Sequence, residues 1–80
     1  MGLAKDEKEL AARASRFLKA ELKRANVTYG ELAEKLKEHG LPNETADSIK
    51  SKLARGTFAA TFFLASLAAL GLQGCSLENI

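Results

Sequence analysis

Thr28-Tyr29-Gly30-Glu31-Leu32-Ala33-Glu34-Lys35-Leu36, followed by Lys37-Glu38-His39-Gly40-Leu41-Pro42, reads as a short helix with both of its ends marked. Thr28 with Glu31 three residues later forms a capping box, which satisfies two backbone donors that a helix start leaves without partners and predicts a helix from Tyr29. Leu32, Ala33 and Leu36 supply one apolar stripe, and Glu31, Glu34, Lys35, Lys37 and Glu38 fall on the wet side. Gly40 suits the left-handed conformation past a helix end, and Pro42 cannot continue the helix.

Upstream, Leu10, Ala14, Phe17, Leu18, Leu22 and Ala25 recur at spacings of three and four, which places them on one arc of a longer helix. Arg13, Arg16, Lys19, Lys23 and Arg24 fall on the opposite arc. Glu21 lands inside the apolar arc, which implies either a cation from another helix or local exposure. Asn26-Val27-Thr28 breaks the pattern before the capped helix begins.

Downstream, Asn43 or Thr45 caps a third helix whose first turn carries Glu44 and Asp47, the charge favoured at a helix N-terminus. Ala46, Ile49 and Leu53 face inward, Lys50, Ser51 and Arg55 face outward, and Gly56 ends the helix. Thr57 is the expected cap of a fourth helix over residues 58–70, which is uncharged and apolar almost all round. Three short helices can hardly enclose such a surface, so a homodimer is expected, with Phe58, Phe62, Phe63, Leu67 and Leu70 as interface candidates. Ser76 is placed to cap a final turn. The expected division is a flexible segment over 1–9, a helical domain over 10–72 and a tail over 73–80.

Eighty residues, 46% of them apolar, predict one compact domain of the all-α class, a bundle of four to five helices. A lone cysteine, Cys75, cannot form an internal disulfide, and no paired Cys/His spacing suits a metal, so the chain reads as intracellular and free of metals and cofactors. Net charge is only +2, but the cations are concentrated before Gly56, and Glu78 is the sole charged residue after it. Residues 1–9 lack the apolar run of an export signal, and the apolar segment beginning at Phe58 falls short of the ~20 residues a membrane span needs. The expected location is the cytoplasm, with no membrane partner.

A helix, a capped short helix, a glycine-containing turn, a second capped short helix and an apolar support helix follow the plan of a helix-turn-helix. The run from Thr28 to Leu36, with Ile49, Leu53, Arg55 and Gly56, resembles the Cro/lambda-repressor-like (XRE) helix-turn-helix domain. Leu67 to Leu72, then Ser76-Leu77-Glu78, resembles that superfamily's fourth helix and the start of its fifth. The turn between Leu36 and Ile49 is longer than the 3 to 4 residues of a tight helix-turn-helix. Residues from about Ser15 to Leu72 are also similar to a family of small bacterial proteins catalogued as a domain of unknown function, through Leu-Lys-Ala-Glu-Leu-Lys at 18–23 and Arg-Gly-Thr-Phe at 55–58.

The repressor resemblance implies double-stranded DNA as the partner and transcription regulation as the role. It places base reading on the N-terminal half of the third helix, at Thr45, Ala46, Asp47, Lys50 and Ser51. Lys50 is the leading candidate, for guanine or a phosphate. Asp47 either accepts from cytosine or serves only as a first-turn charge. Arg13, Arg16, Lys19, Lys23, Tyr29, Lys52 and Arg55 are candidate phosphate contacts, which position a protein without reading sequence.

Catalysis has no support in the sequence. His39 has no nucleophile spaced to pair with it, and Gly71 and Gly74 lack the Lys-Ser/Thr of a phosphate loop, so neither an enzyme nor a small-molecule substrate is expected. The alternative class is a protein-protein interaction module that uses the same fold without DNA.

Overall fold

The computed structural model describes residues 6–75, and these form α1 (Glu7–Ala25), α2 (Tyr29–Lys37), α3 (Ala46–Arg55) and α4 (Ala60–Ala69), with no strand among the described residues. The fold is all-helical. The final turn expected at Ser76 lies outside the described residues.

Each of the first three helices begins on a side-chain cap. The Asp6 carboxylate accepts from Glu9 N–H at 2.8 Å and starts α1 at Glu7. Residues 7–9, expected as part of a flexible segment, are therefore helical: the apolar arc begins only at Leu10, but the cap lies one turn earlier. In the Thr28 box, Glu31 N–H donates to Thr28 Oγ1 at 3.1 Å and Thr28 N–H donates to Glu31 Oε1 at 2.8 Å. These bonds from Thr28 hold the Glu31 carboxyl below the usual carboxylate range. Thr45, rather than Asn43, caps α3, and Ser48 completes its reciprocal box.

α4 differs from expectation at its start. Thr57 does not cap it; Ala59 occupies the cap position without a side-chain hydrogen bond, and the helix runs Ala60–Ala69 instead of 58–70. The chain stays non-helical through Phe58, whose ring lies 5.3 Å from that of Phe62 and 6.2 Å from that of Phe63, measured between centroids.

The core is made by Leu18 and Leu22 of α1, Leu32, Ala33 and Leu36 of α2, Ile49 and Leu53 of α3, and Phe62 and Ala65 of α4. α2 packs against both α3 and α4, and α1 packs against α3. Leu10 and Ala25, at the two ends of the predicted α1 stripe, remain exposed. Glu21 is paired neither from another helix nor left in the open. Its side chain is 11% exposed and takes Arg24, one turn along α1 itself, at 2.8 Å.

A long α2–α3 connection, residues 38–45, is tied to the domain by Glu44. Its Oε1 accepts from Ser48 Oγ at 2.6 Å and from Lys52 Nζ at 3.1 Å, and Lys52 Nζ also lies 5.7 Å from the centroid of the Phe62 ring. Glu44 was expected in the first turn of α3; it stands one residue before the cap. Burial raises the Glu44 carboxyl, but the Ser48 and Lys52 hydrogen bonds and the Lys52 charge together outweigh it and hold the group below the usual range.

A carboxyl depressed on folding stabilises the protein above its unfolded pKa, and that contribution is lost as pH falls through the lower folded value. Glu44→Gln should therefore be less stable than the parent at pH 7, with the gap closing as pH drops below the ordinary value of 4.5. Urea denaturation across that interval checks this; a gap independent of pH would contradict it.

One polar atom in the core has no partner. Ser66 is fully buried in α4, and its Oγ makes no hydrogen bond among the described residues. An unsatisfied buried hydroxyl costs about 1–3 kcal/mol, and alanine is also the better helix former. Ser66→Ala should raise the thermal midpoint by about 4–8 °C, equivalent to ~1 kcal/mol in a domain of this size. Scanning calorimetry checks this, and a lowered midpoint would show that Ser66 has a partner in the folded protein.

Candidate nucleic-acid interface

The outward side of α3 follows from its buried side. Ile49 and Leu53 are enclosed, so Ala46, Asp47, Lys50, Ser51, Ala54 and Arg55 are left in solvent. Thr45 is also exposed, but its hydroxyl accepts from Ser48 N–H and is occupied as a cap. Of the five base-reading candidates, Asp47, Lys50 and Ser51 have both exposure and a polar side chain free of any cap.

Ion pairs divide the phosphate candidates. Arg13 pairs with Glu9 at 2.7 Å and its side chain is only 18% exposed; Lys52 is held by Glu44 and lies over Phe62. Both are tied to their own fold, and these ties run between helical neighbours or across a turn, which the residue types alone did not specify. Among the described residues no ion pair engages Arg16, Lys19, Lys23, Lys50 or Arg55.

Most of these unengaged cations share one side of the domain. Arg16, Lys19 and Arg55 line a groove between α1 and the C-terminal end of α3, joined there by Lys8, which the sequence had not singled out. Lys19 also lines a neighbouring hollow with Lys23 and Tyr29, where α1 meets the start of α2. Tyr29 is half-buried and packs on the core, leaving part of its ring in that hollow. The basic surface therefore runs along α1 past the starts and ends of its neighbours.

Two contacts set the spacing of α1 and α3. Ser15, buried in α1, donates its hydroxyl to the carbonyl of Leu53. Gly56 closes α3 with φ +74°, and a Cβ there would stand 3.4 Å from the carbonyl oxygen of Ala11. A glycine at this position suits the left-handed turn, and α1 passes it at ordinary van der Waals distance. In the sequence Ser15 marks only the start of the family likeness. Its partner is 38 positions away, a separation that no local pattern reports.

The proposed dimer surface is altered by the fold. Phe62 and Leu67 are 2% and 6% exposed, already covered within one chain by the packing of α4, and Phe58, Phe63 and Leu70 are half-buried. What α4 presents to solvent is Ala60, Thr61, Leu64 and Ala68, with Leu64 63% exposed. Among the described residues, no group of three or more His, Cys, Asp or Glu side chains is arranged to hold a metal ion, and no helix is long and apolar enough to cross a membrane.

A family model described as Domain of unknown function (DUF6471) matches residues 10–75. The chain belongs to this family. The DUF6471 match takes in α2, α3, α4 and α1 from its fourth residue onward, so the neighbouring hollow, the exposed face of α3 and all of the groove but Glu7 and Lys8 lie within it. The two segments that carry the likeness in the sequence, 18–23 and 55–58, place Lys19 on α1 and Arg55, Gly56 and Thr57 at the end of α3, all lining that groove. No curated protein and no solved structure matches the chain.

Proposed function

We propose that this DUF6471 chain is a non-enzymatic regulator of transcription in the cytoplasm, binding double-stranded DNA sequence-specifically as a homodimer. In this reading α2 and α3 act as a helix-turn-helix of the lambda-repressor-like kind. α3 enters the major groove and reads with Asp47, Lys50 and Ser51, while α1 and the end of α3 hold the backbone.

The observation that carries the reading is the sorting of cations. Arg16, Lys19, Lys23, Lys50 and Arg55 have no carboxylate partner among the described residues; Lys50 and Arg55 stand on α3, and the other three stand on α1, which packs against it. Cations serving only solubility need no such grouping, whereas a phosphate backbone running beside a reading helix calls for several cations on one side of it. Packing of α2 on α3 supplies the rigid support that a reading helix needs.

The reading is tested by selecting fragmented genomic DNA with the purified protein at physiological salt and sequencing what is retained. Enrichment of a two-fold symmetric site is the expected result, its half-site spacing reporting the dimer geometry. Retention of DNA without any enriched site would remove sequence reading.

A second reading, a module that binds another protein, is favoured by the uncharged face of α4, where Leu64 stands 63% exposed beside Ala60, Thr61 and Ala68. Salt separates the two. Phosphate contacts weaken steeply as salt rises, and an apolar interface barely responds.

A further inference from the structure

The groove between α1 and the end of α3 has a composition that a DNA backbone alone does not call for. It is an open groove of about 670 Å³, and between its charged side chains the lining is mostly small and apolar, Ala11, Ala12, Leu53, Ala54 and Gly56, with Ser15 and Thr57 beside them. Its rim holds Lys8, Arg16, Lys19 and Arg55, with Glu7 as the one carboxylate. No ion pair engages these four cations among the described residues.

We propose that this groove is a binding site for a small organic anion with an apolar body, such as an aromatic or aliphatic carboxylate or phosphate monoester. The volume lies in the range of small-molecule sites, roughly 300–1,000 Å³. Small residues on the floor leave room for a ring or short chain to be removed from water. The guanidinium groups of Arg16 and Arg55 suit the bidentate capture of a carboxylate or phosphate, and the lysines add point charge.

The site is also largely formed in advance. The Ser15 hydroxyl on the Leu53 carbonyl joins the two walls before any ligand arrives, which limits the ordering needed on binding. A bare phosphate would use the rim and leave the floor wet. A neutral apolar molecule would use the floor and leave the cations without a counter-charge. An amphipathic anion uses both. Arg16, Lys19 and Arg55 are common to this site and to the proposed DNA surface, so the two ligands compete wherever both bind.

Amide chemical shifts of the full-length protein, titrated separately with phenylbutyrate, phenyl phosphate, neutral phenylbutyramide and inorganic phosphate, test the proposal without DNA. Saturable shifts centred on Ala11, Ala12, Ala54 and Gly56 are expected with phenylbutyrate or phenyl phosphate and not with the amide. They should be lost in Arg16→Ala/Arg55→Ala, a pair of exposed changes whose helical content is checked by circular dichroism. Equal shifts from inorganic phosphate, shifts spread over every surface cation, or no saturation at millimolar concentration of either anion would overturn it. Because no DNA is present, failure here leaves the DNA reading standing, and failure of DNA binding leaves this site standing.

Discussion

Phe62→Ala should remove about 3–5 kcal/mol of folding stability, the range for deleting a buried aromatic ring. Phe62 is 2% exposed and packs in one cluster with residues of every helix. Its ring meets Phe58 at 5.3 Å and lies under Lys52 Nζ at 5.7 Å, so truncation also removes the surface on which Lys52, the partner of Glu44, rests. A domain of this size holds only about 5–10 kcal/mol in all, so the variant should sit close to its unfolding midpoint at room temperature. Leu64→Ala, on the same helix but 63% exposed, should change the stability of the monomer by less than about 0.5 kcal/mol. Urea unfolding followed by circular dichroism at low protein concentration separates the two. A similar loss for both would mean that the solvent side of α4 is covered in solution.

The second large effect concerns charge. Arg16→Ala/Lys19→Ala/Arg55→Ala removes three cations that no ion pair holds among the described residues. The fold should survive, because all three are exposed and none belongs to the core. Each neutralised phosphate contributes about −0.9 to the slope of log affinity against log salt, so the triple change should flatten that slope by roughly 2.7. At low salt the affinity for duplex DNA should fall by orders of magnitude. Arg13→Ala and Lys52→Ala are the matched controls: both were expected among the phosphate contacts, but one is paired with Glu9 and the other with Glu44. These two should lower stability and leave the salt slope nearly unchanged. Fluorescence anisotropy of a labelled duplex over a salt series reads both quantities.

Helix order was legible because its signals are local. Thr28 with Glu31 marks the start of α2, Gly40 stands in the left-handed conformation at φ +91°, and Gly56 does so at φ +74°. Interactions between distant residues were not legible. Ser15 finds the carbonyl of Leu53 because tertiary packing brings them together and not because any spacing announces it. The start of α4 was misplaced as well: Thr57 is a good cap by residue type, but Ala59 takes the cap position in an extended conformation. At the candidate site, the sequence located the cations of α1 and the outward Lys50, Ser51 and Arg55 of α3, but Ala46, expected to face inward, is exposed at the first turn of the helix. It did not reveal which cations are engaged, since that depends on whether a carboxylate lies within reach in the folded chain. Nor did it reveal Lys8 or the apolar floor of the groove, to which α1 and the end of α3 contribute from positions far apart in the chain.

The most direct test of DNA binding through this face is to map amide chemical shifts of the labelled protein as a short DNA duplex is added at low salt. The account predicts shifts concentrated on residues 46–51 and 54–55 of α3 and on Arg16, Lys19 and Lys23 of α1, with α4 residues 60–68 unmoved except where the dimer forms. Shifts absent at saturating duplex, or confined to the Leu64 side of α4, would contradict it.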